Sequence, residues 1–418
     1  MADRGKVVLA YSGGLDTSVA VRWIQETYDL DVITLTIDMG TQKDLEEARE
    51  KALKVGAVKA LIVDACDTFV DYFCWPALQA SALYEGVYPL ATALGRPLIA
   101  KLLVDTARQH DATAIAHGCT GKGNDQVRFD VGTRTLAPDL GIIAPAREWN
   151  MTRDDEINYA REHDIPIEVT SESPYSTDEN IWGRSIECGV LEDPWAEPPA
   201  DAYEWTVDPA DAPDEPRYVE IEFEKGVPVA LDGDNMSGRE LIAQLNEIAG
   251  AHGVGRLDHV ENRLVGIKSR EIYEAPAAVV LHEAHRVLEG LTLTRPAMRF
   301  KELVSQQYAD MVYDGLWFSG FHQDLLAYVQ SSQRTVTGTA KMKLYRGSVT
   351  KAGVKSPLSL YSKKLATYDE EDEFEHQAAL GFIKLHGLPS ETQARAQEDS
   401  IQGSDLHPRI MPPELKAE

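Results

Sequence analysis

Ser12, Gly13, Gly14, Leu15, Asp16, Thr17 and Ser18 stand between an apolar run, Val7 to Tyr11, and a helix-compatible stretch, Val19 to Thr27. The order reads as strand, glycine turn, helix. Two glycines let the main chain turn tightly and approach a ligand. Ser12, Thr17 and Ser18 add hydroxyls beside the unpaired N–H groups and positive dipole end of the helix. This is the chemistry of an anion cradle. It differs from nucleotide loops ending in Gly-Lys-Ser/Thr, because no lysine follows to reach a β- or γ-phosphate. Such a loop suits pyrophosphate as a leaving group.

A second polar string runs from His117 to Phe129, directly after the apolar residues Ala112 to Ala116. Thr120 and main-chain N–H groups suit a carboxylate, Asn124 offers both amide functions, and Asp125 suits an ammonium. Arg128 can grip another carboxylate through two parallel bonds. Together they could enclose a small zwitterion. A glycine-rich surface turn is the plain alternative. The position of the string at a strand end favours the functional reading.

The elements that must position these loops follow from periodicity. Short Val- and Ile-rich runs at Asp31–Met39, Ala60–Val63, Ala112–Ala116 and Gly141–Ala144 alternate with helical patterns. One of these, Asp44 to Lys54, carries Glu47/Lys51 and Glu50/Lys54 at i,i+4 and stops at Gly56. The alternation predicts a doubly wound parallel sheet, whose ligands collect beyond the carboxyl ends of its strands. Ser12, Asp38 and His117-Gly118 would all fall on that rim.

Near Ile165 the pattern changes. A segment holding Pro194, Pro198, Pro199, Pro209, Pro213 and Pro216 reads as an ordered or partly ordered connector. Val219 to Phe223 then alternates like a strand with one wet face. Ser237-Gly238-Arg239-Glu240 forms a capping box before Leu241 to Ala249. A second, α+β domain is expected here. From about Pro389 the chain is polar and cannot build a core of its own, so it is read as a frayed tail or a docked arm.

The chain has 418 residues, enough for two or three domains, and a net charge of −27. That charge argues against extended contact with a nucleic-acid backbone or an anionic membrane, while leaving room for a nucleotide. No apolar run reaches the roughly 18 residues of a membrane span, and the start shows no signal-peptide region, so a cytoplasmic enzyme is expected. Cys66, Cys74, Cys119 and Cys188 lack paired spacing and read as reduced thiols. His282 and His285 lack the H-E-x-x-H order and read as two ordinary histidines of a helix. No side chain is assigned to a metal.

Taken together, Ala10 to Ser18 and His117 to Phe129 resemble the argininosuccinate synthase family, within the wider N-type ATP pyrophosphatases. Further blocks agree. They include Ser81-Ala82-Leu83-Tyr84-Glu85, Arg96-Pro97, Trp149, Ser176-x-Asp178-Glu179-Asn180, Gly253-Val254-Gly255-Arg256, Val260-Glu261-Asn262-Arg263, Lys268 to Glu274 and Ser356 to Tyr361. The resemblance spans residues 5 to about 385. It implies a ligase making argininosuccinate from citrulline, aspartate and ATP through a citrullyl adenylate, with release of AMP and pyrophosphate, in arginine biosynthesis. By this likeness ATP is held by Ala10, Tyr11, Ser12, Gly13, Gly14, Leu15, Asp16, Thr17, Ser18 and the main chain at Ile37 and Gly118. Aspartate is taken by Thr120, Asn124 and Asp125. Citrulline is surrounded by Tyr88, Asn124, Arg128, Ser176, Ser185, Glu261 and Tyr273. The family often places a serine where Ala93 stands, and Thr92 is read as the substitute donor. The resemblance also implies Mg2+ and a homotetramer.

Three parts are expected: a nucleotide-binding domain over 1–167, a synthetase domain over 168–388 and an oligomerisation arm over 389–418. The base that takes the proton of the aspartate amine is open between Asp16 and Asp125. As an ammonium partner, Asp125 would raise the amine pKa and work against deprotonation. Asp16 reads equally as a magnesium partner or a helix-start residue. Two other functions compete: an ATP pyrophosphatase that adenylates a tRNA base, and a regulator that binds nucleotide without chemistry. The acidic charge and absence of a Cys-x-x-Cys pair disfavour the first. The intact 117–129 string and the second-domain carboxylates disfavour the second.

Overall fold

A computed structural model describes residues 4–41, 45–149, 151–166, 174–369 and 371–397. Residues 1–360 form one compact unit and 361–418 a second.

The first unit begins with β1 (Lys6–Ala10), α1 (Leu15–Tyr28), β2 (Asp31–Asp38), α2 (Leu45–Val55) and β3 (Lys59–Asp64). A run of short helices follows, α3 (Cys66–Phe69), a π-helical turn at Val70–Cys74 and α4 (Trp75–Gln79), then α5 (Ala91–Gln109). Next come β4 (Ala114–Ala116), α6 (Asp125–Leu136), β5 (Gly141–Ile143), α7 (Pro145–Glu148) and α8 (Arg153–Glu162). The five strands lie parallel in the order β3-β2-β1-β4-β5. Successive side chains of a strand point to opposite faces, and β1 shows the consequence. Val8 packs with the α5 side, whereas Val7 and Leu9 join the core formed with α1. Both faces are covered, so the sheet is doubly wound, as the alternation of apolar runs predicts. Strand order reverses between β1 and β4. The loops leaving these two strands therefore diverge and open a crevice at their carboxyl ends.

The predicted α2 ends as expected, with Gly56 at φ +117°. Its first predicted residue, Asp44, lies outside the described residues. The capping box at Ser237 forms, with Ser237 Oγ accepting from Glu240 N and Glu240 returning a bond to Ser237 N. A second box at Thr152 and Asp155, not foreseen, starts α8.

Two antiparallel sheets build the rest of this unit. The first orders β11 (Arg256–Asn262), β12 (Lys268–Glu274), β7 (Gly183–Glu187) and β6 (Ser176–Asn180) side by side. The second orders β10 (Asp234–Asn235), β9 (Val227–Leu231), β8 (Arg217–Glu224), β13 (Gly338–Tyr345) and β14 (Ser348–Lys355). Helices α9 (Gly238–Gly250), α10 (Pro276–Thr292), α11 (Arg295–Tyr313) and α12 (Gly320–Ser332) complete the unit. The proline-rich connector is ordered around Glu274, which is fully buried. Its carboxylate accepts from Glu204 N, Trp205 N and Thr206 N at 2.9 Å each, and from Thr206 Oγ1 at 2.7 Å. Arg184 supplies the counter-charge at 3.0 Å. Five donors on one carboxylate make a buried charge tolerable and fix a segment with little regular structure.

The second unit holds α13 (Lys363–Ala366) and α14 (His376–Ala396). Helix α14 runs through Pro389 to Ala396 and buries none of its residues. Pro389 thus lies inside this helix. Residues 398–418 of the expected arm lie outside the described residues. No described helix is long and apolar enough to cross a membrane. All four cysteines are free thiols. His282 and His285 are buried on α10, and burial pulls the His282 pKa down to about 3. No group of three or more potential metal ligands occurs among the described residues.

Candidate active site

The loop after β1 has the turn its sequence calls for. Gly13 sits at φ +80°, and a Cβ there would meet Ala48 Cβ at 3.3 Å, so both conformation and space favour glycine. Gly14 is the extended N-cap of α1 and supplies no side chain to the first turn, leaving the N–H groups of that turn for another acceptor. Ser12 Oγ and Thr17 Oγ1 are 3.1 Å apart, while buried Ser18 is tied to Tyr11 Oη at 3.0 Å. Leu15 opens the helix beside them. Lys51 Nζ donates to Gly13 O at 2.7 Å from α2. A lysine is thus brought beside the loop from a neighbouring helix.

Asp16 lies in the first turn of α1 beside Glu156 of α8. Burial pushes the Glu156 carboxyl up to about 8, and the neighbouring Asp16 charge adds to the rise. Ile37 and Asp38 end β2, and Asp38 Oδ1 accepts Gly40 N and Thr41 N at 2.8 and 3.2 Å. Ala10 ends β1. On the far side of the switch point, a Cβ on Gly118 would lie 3.3 Å from Thr17 Cγ2. The 117–129 string therefore passes close against the cradle.

A pocket opens where this string meets the β11-β12-β7-β6 sheet. It is lined by Tyr88, Thr92, Gly123, Asn124, Asp125, Arg128, Asp178, Ser185, Glu187, Glu261, Arg263, Glu271, Tyr273 and Tyr313. Register explains the floor. Tyr273 pairs with Ser185, and Ser185 pairs with Asp178. Period two then sets Glu271 and Glu187 on the same face. Of the residues read as citrulline ligands, Tyr88, Thr92, Asn124, Arg128, Ser185, Glu261 and Tyr273 line this pocket. Ser176 is two residues before Asp178 but exposed at the start of β6, outside the lining. Thr120 is exposed and also outside it, whereas Asn124 and Asp125 are within.

The side chains are closely interlocked. Tyr273 Oη donates to Glu261 Oε2 at 2.6 Å, and its oxygen lies 2.9 Å from Glu271 Oε2. Tyr313 Oη donates to Glu261 Oε1 at 2.5 Å. Asn124 Nδ2 donates to Tyr313 Oη at 2.7 Å, and its Oδ1 accepts Leu264 N at 2.9 Å. Tyr88 and Thr92 share a 2.5 Å hydroxyl contact, and Thr92 N donates to Tyr88 Oη at 2.9 Å, beside the hydroxyl-free Ala93. Tyr88 stacks on Tyr273 with ring centroids 4.1 Å apart, and Tyr84 stacks on Tyr313 at 3.5 Å.

Asp125 is gripped by two guanidiniums, from Arg96 and Arg128, each at 2.8 Å. Burial pushes its pKa up, but the two arginines outweigh that and bring it down to about 2. Asp125 is consequently a very weak base, and this electrostatic setting speaks against it as the proton acceptor. Arg128 Nε donates to Tyr313 O at 2.9 Å, while its buried Nη2 has no partner within the protein. An orphaned guanidinium nitrogen in a pocket is a waiting donor for a carboxylate. Burial pushes Glu271 up to about 7, helped by Glu261 and Glu187. Burial likewise raises the Cys119 thiol to about 12, so this loop cysteine is no nucleophile.

Sequence reasoning missed Glu187, Glu271, Arg263, Tyr313 and Asp178 as walls of the pocket, and Arg96 as the second guanidinium on Asp125. Glu187 and Glu271 could have been found by counting two along each strand from Ser185 and Tyr273. Nothing local marks Tyr313, which arrives from the end of α11.

Comparison with known proteins agrees with this geometry. Residues 6–166 match the family model described as the arginosuccinate synthase N-terminal HUP domain, and residues 175–393 match that of the C-terminal domain. A protein of Dehalococcoides mccartyi named argininosuccinate synthase is 59% identical over 392 residues, covering 94% of this chain and 97% of that protein. Relatives of the same name are 58% identical over 397 residues in Rubrobacter xylanophilus and 57% identical over 398 residues in Oceanobacillus iheyensis. They cover 95% of this chain in both cases, and 97% and 95% of the relatives' lengths. With both family domains matched in order along one chain, and the cradle and the pocket built from the residues those domains supply, this chain belongs to the argininosuccinate synthase family.

Proposed function

We propose that this chain is a ligase that joins citrulline to aspartate while ATP is cleaved to AMP and pyrophosphate. The observation that carries the reading is the approach of Gly118 to Thr17, which sets the cradle and the amino-acid pocket on one rim. A ureido carbon is a poor electrophile because nitrogen lone pairs feed into it. Attack of its oxygen on the α-phosphorus of ATP makes it a phosphate ester with AMP as leaving group. The departing pyrophosphate is then held by Ser12, the N–H groups at the start of α1 and Lys51. The aspartate amine displaces AMP in the second step. Much of the acceleration comes from positioning, for which effective molarities of about 10⁵ to 10⁸ M are available to aligned reactants.

The unpartnered Arg128 Nη2 supports its role toward a substrate carboxylate, and the Glu261 carboxylate suits the citrulline ammonium. Thr120, Asn124 and Asp125 take aspartate in this reading, with Asp125 acting as a fixed charge. Ser176 stays a citrulline contact only if the start of β6 moves inward. Mg2+ would come in on the phosphates and screen their charge. Asp16, in the first turn of α1, stays open between a magnesium partner and a helix-start residue, and magnesium takes few carboxylates in nucleotide sites.

A nucleotide domain over 1–167, a synthetase domain over 168–388 and a C-terminal arm are retained in this proposal. The two-domain division is supported by the separate family matches at 6–166 and 175–393. Exposed Leu380, Phe382, Ile383 and Leu385 on α14 support an arm that is covered on assembly, in a cytoplasmic homotetramer. The test is release of AMP and pyrophosphate from Mg-ATP with citrulline or aspartate omitted in turn. Release that ignores both amino acids would sink the ligase reading.

A further inference from the structure

Three residues other than glycine adopt left-handed backbone within ten positions: Ser81 at φ +54°, Glu85 at +50° and Leu90 at +65°. Such conformations persist where surrounding structure over-determines them. The segment they frame carries Tyr84 and Tyr88, the rings that stack on the two tyrosines of the pocket, Tyr313 and Tyr273. Its fastenings are unusually complete. Ser81 N and Ala82 N return to Leu78 O and Ala77 O, and Tyr84 and Tyr88 bridge each other at 2.8 and 3.1 Å. Tyr84 Oη donates to Asn262 O at 2.7 Å, and Trp182 Nε1 donates to Pro89 O at 2.9 Å.

Beneath Ser81 lies a charge that the reaction does not use. Lys301 of α11, only 3% exposed, donates to Ser81 Oγ at 2.7 Å and pairs with Glu289 of α10 at 2.9 Å. Glu289 Oε1 also accepts from Gln333 Nε2 at 2.8 Å. A buried ammonium is costly and weak evidence for stability as such. Its placement is informative, because α11 holds the 81–90 segment at two points. Lys301 grips Ser81, and Tyr313, 12 residues further along the same helix, stacks on Tyr84. A rise of 1.5 Å per residue sets these grips about 18 Å apart.

We propose that Lys301 is a positioning residue for the citrulline pocket, acting through Ser81 to hold the strained 81–90 segment so that Tyr88 and Thr92 face the substrate. The proposal rests on the ligase reading of the site. Lys301 touches no substrate. Its loss lets the segment relax, and the pocket loses its Tyr88 wall while the cradle across the rim is unaffected.

The test compares wild type, Lys301→Met and Ser81→Gly in the ligase assay, with KM measured for citrulline and ATP separately. Ser81→Gly deletes the hydroxyl but suits the left-handed backbone, so it folds even where the buried methionine does not. Both variants are expected to raise KM for citrulline roughly tenfold, with KM for ATP changed by less than about twofold. Folded variants with an unmoved citrulline KM, or with both constants shifted alike, would overturn the proposal. A wild-type protein that releases AMP without regard to either amino acid would overturn the ligase reading instead.

Discussion

Arg96 Nη2 lies 2.8 Å from Asp125 Oδ2, while the other carboxylate oxygen is taken by Arg128. This arrangement turns the most prominent acid of the 117–129 string into a fixed charge. Substitution by asparagine frees both guanidiniums, so Asp125→Asn is expected to raise KM for aspartate at least tenfold and far more than KM for citrulline, by about 1.4 kcal/mol or more of binding. The pH profile of kcat should show no limb belonging to this group between pH 5 and 9. Since its folded pKa is depressed to about 2, its stabilisation is present above the ordinary carboxylate range and lost as pH falls toward 2. Acid titration of the unfolding midpoint in both proteins checks the sign.

Glu271 behaves in the opposite sense. Burial and the Glu261 charge push its pKa up to about 7 in the folded protein, so the native state keeps a proton that the unfolded chain has released. The native state is therefore favoured by this group at low pH and loses that contribution as pH rises toward 7, by at most a few kcal/mol. Glu271→Gln should flatten the pH dependence of stability between about pH 4.5 and 7. A slope equal to that of wild type in denaturant titrations at several pH values would contradict this.

Gly13 combines φ +80° with a Cβ position 3.3 Å from Ala48. Gly13→Val is expected to cut kcat/KM for ATP by at least about a hundredfold, since a β-branched residue is strained at that backbone angle. Thermal unfolding should shift far less than activity, because the loop is at the sheet's rim. Turnover close to wild type would remove the cradle from the mechanism.

Lys51 reaches the cradle from α2, 38 residues beyond Gly13. Lys51→Met keeps most of the apolar stem and deletes the charge. KM for ATP should rise roughly tenfold, with the loss growing smaller at high salt as screening weakens the wild-type advantage. Unchanged ATP saturation at low salt would show that this lysine serves only the Gly13 carbonyl.

Helix α14 exposes Leu380, Phe382, Ile383 and Leu385 and buries nothing. Termination after Leu360 removes the whole second unit and leaves the first intact. The expected outcome is a drop in solution mass to a smaller oligomer or monomer, measured by light scattering. An unchanged mass would rule out the arm.

The sequence by itself determined the strand, glycine turn and helix of residues 7–27, the parallel sheet and the donor-rich string at 117–129. Each is local: apolar period, glycine conformation and capping chemistry act within a few neighbouring residues. Local pattern also marked Ser185, Glu261 and Tyr273 through the family likeness. It did not foresee that helix α14 runs through Pro389, a residue whose ring usually interrupts a helix.

Only the tertiary structure decided which charges meet. Arg96 and Asp125 are 29 residues apart, Asn124 and Tyr313 189, and Lys301 and Ser81 220. No periodicity links such pairs. Their pKa values and roles follow from the dielectric and partners that folding supplies. Asp125 is an ammonium partner or a base when read alone, and becomes a poor base once two arginines close on it.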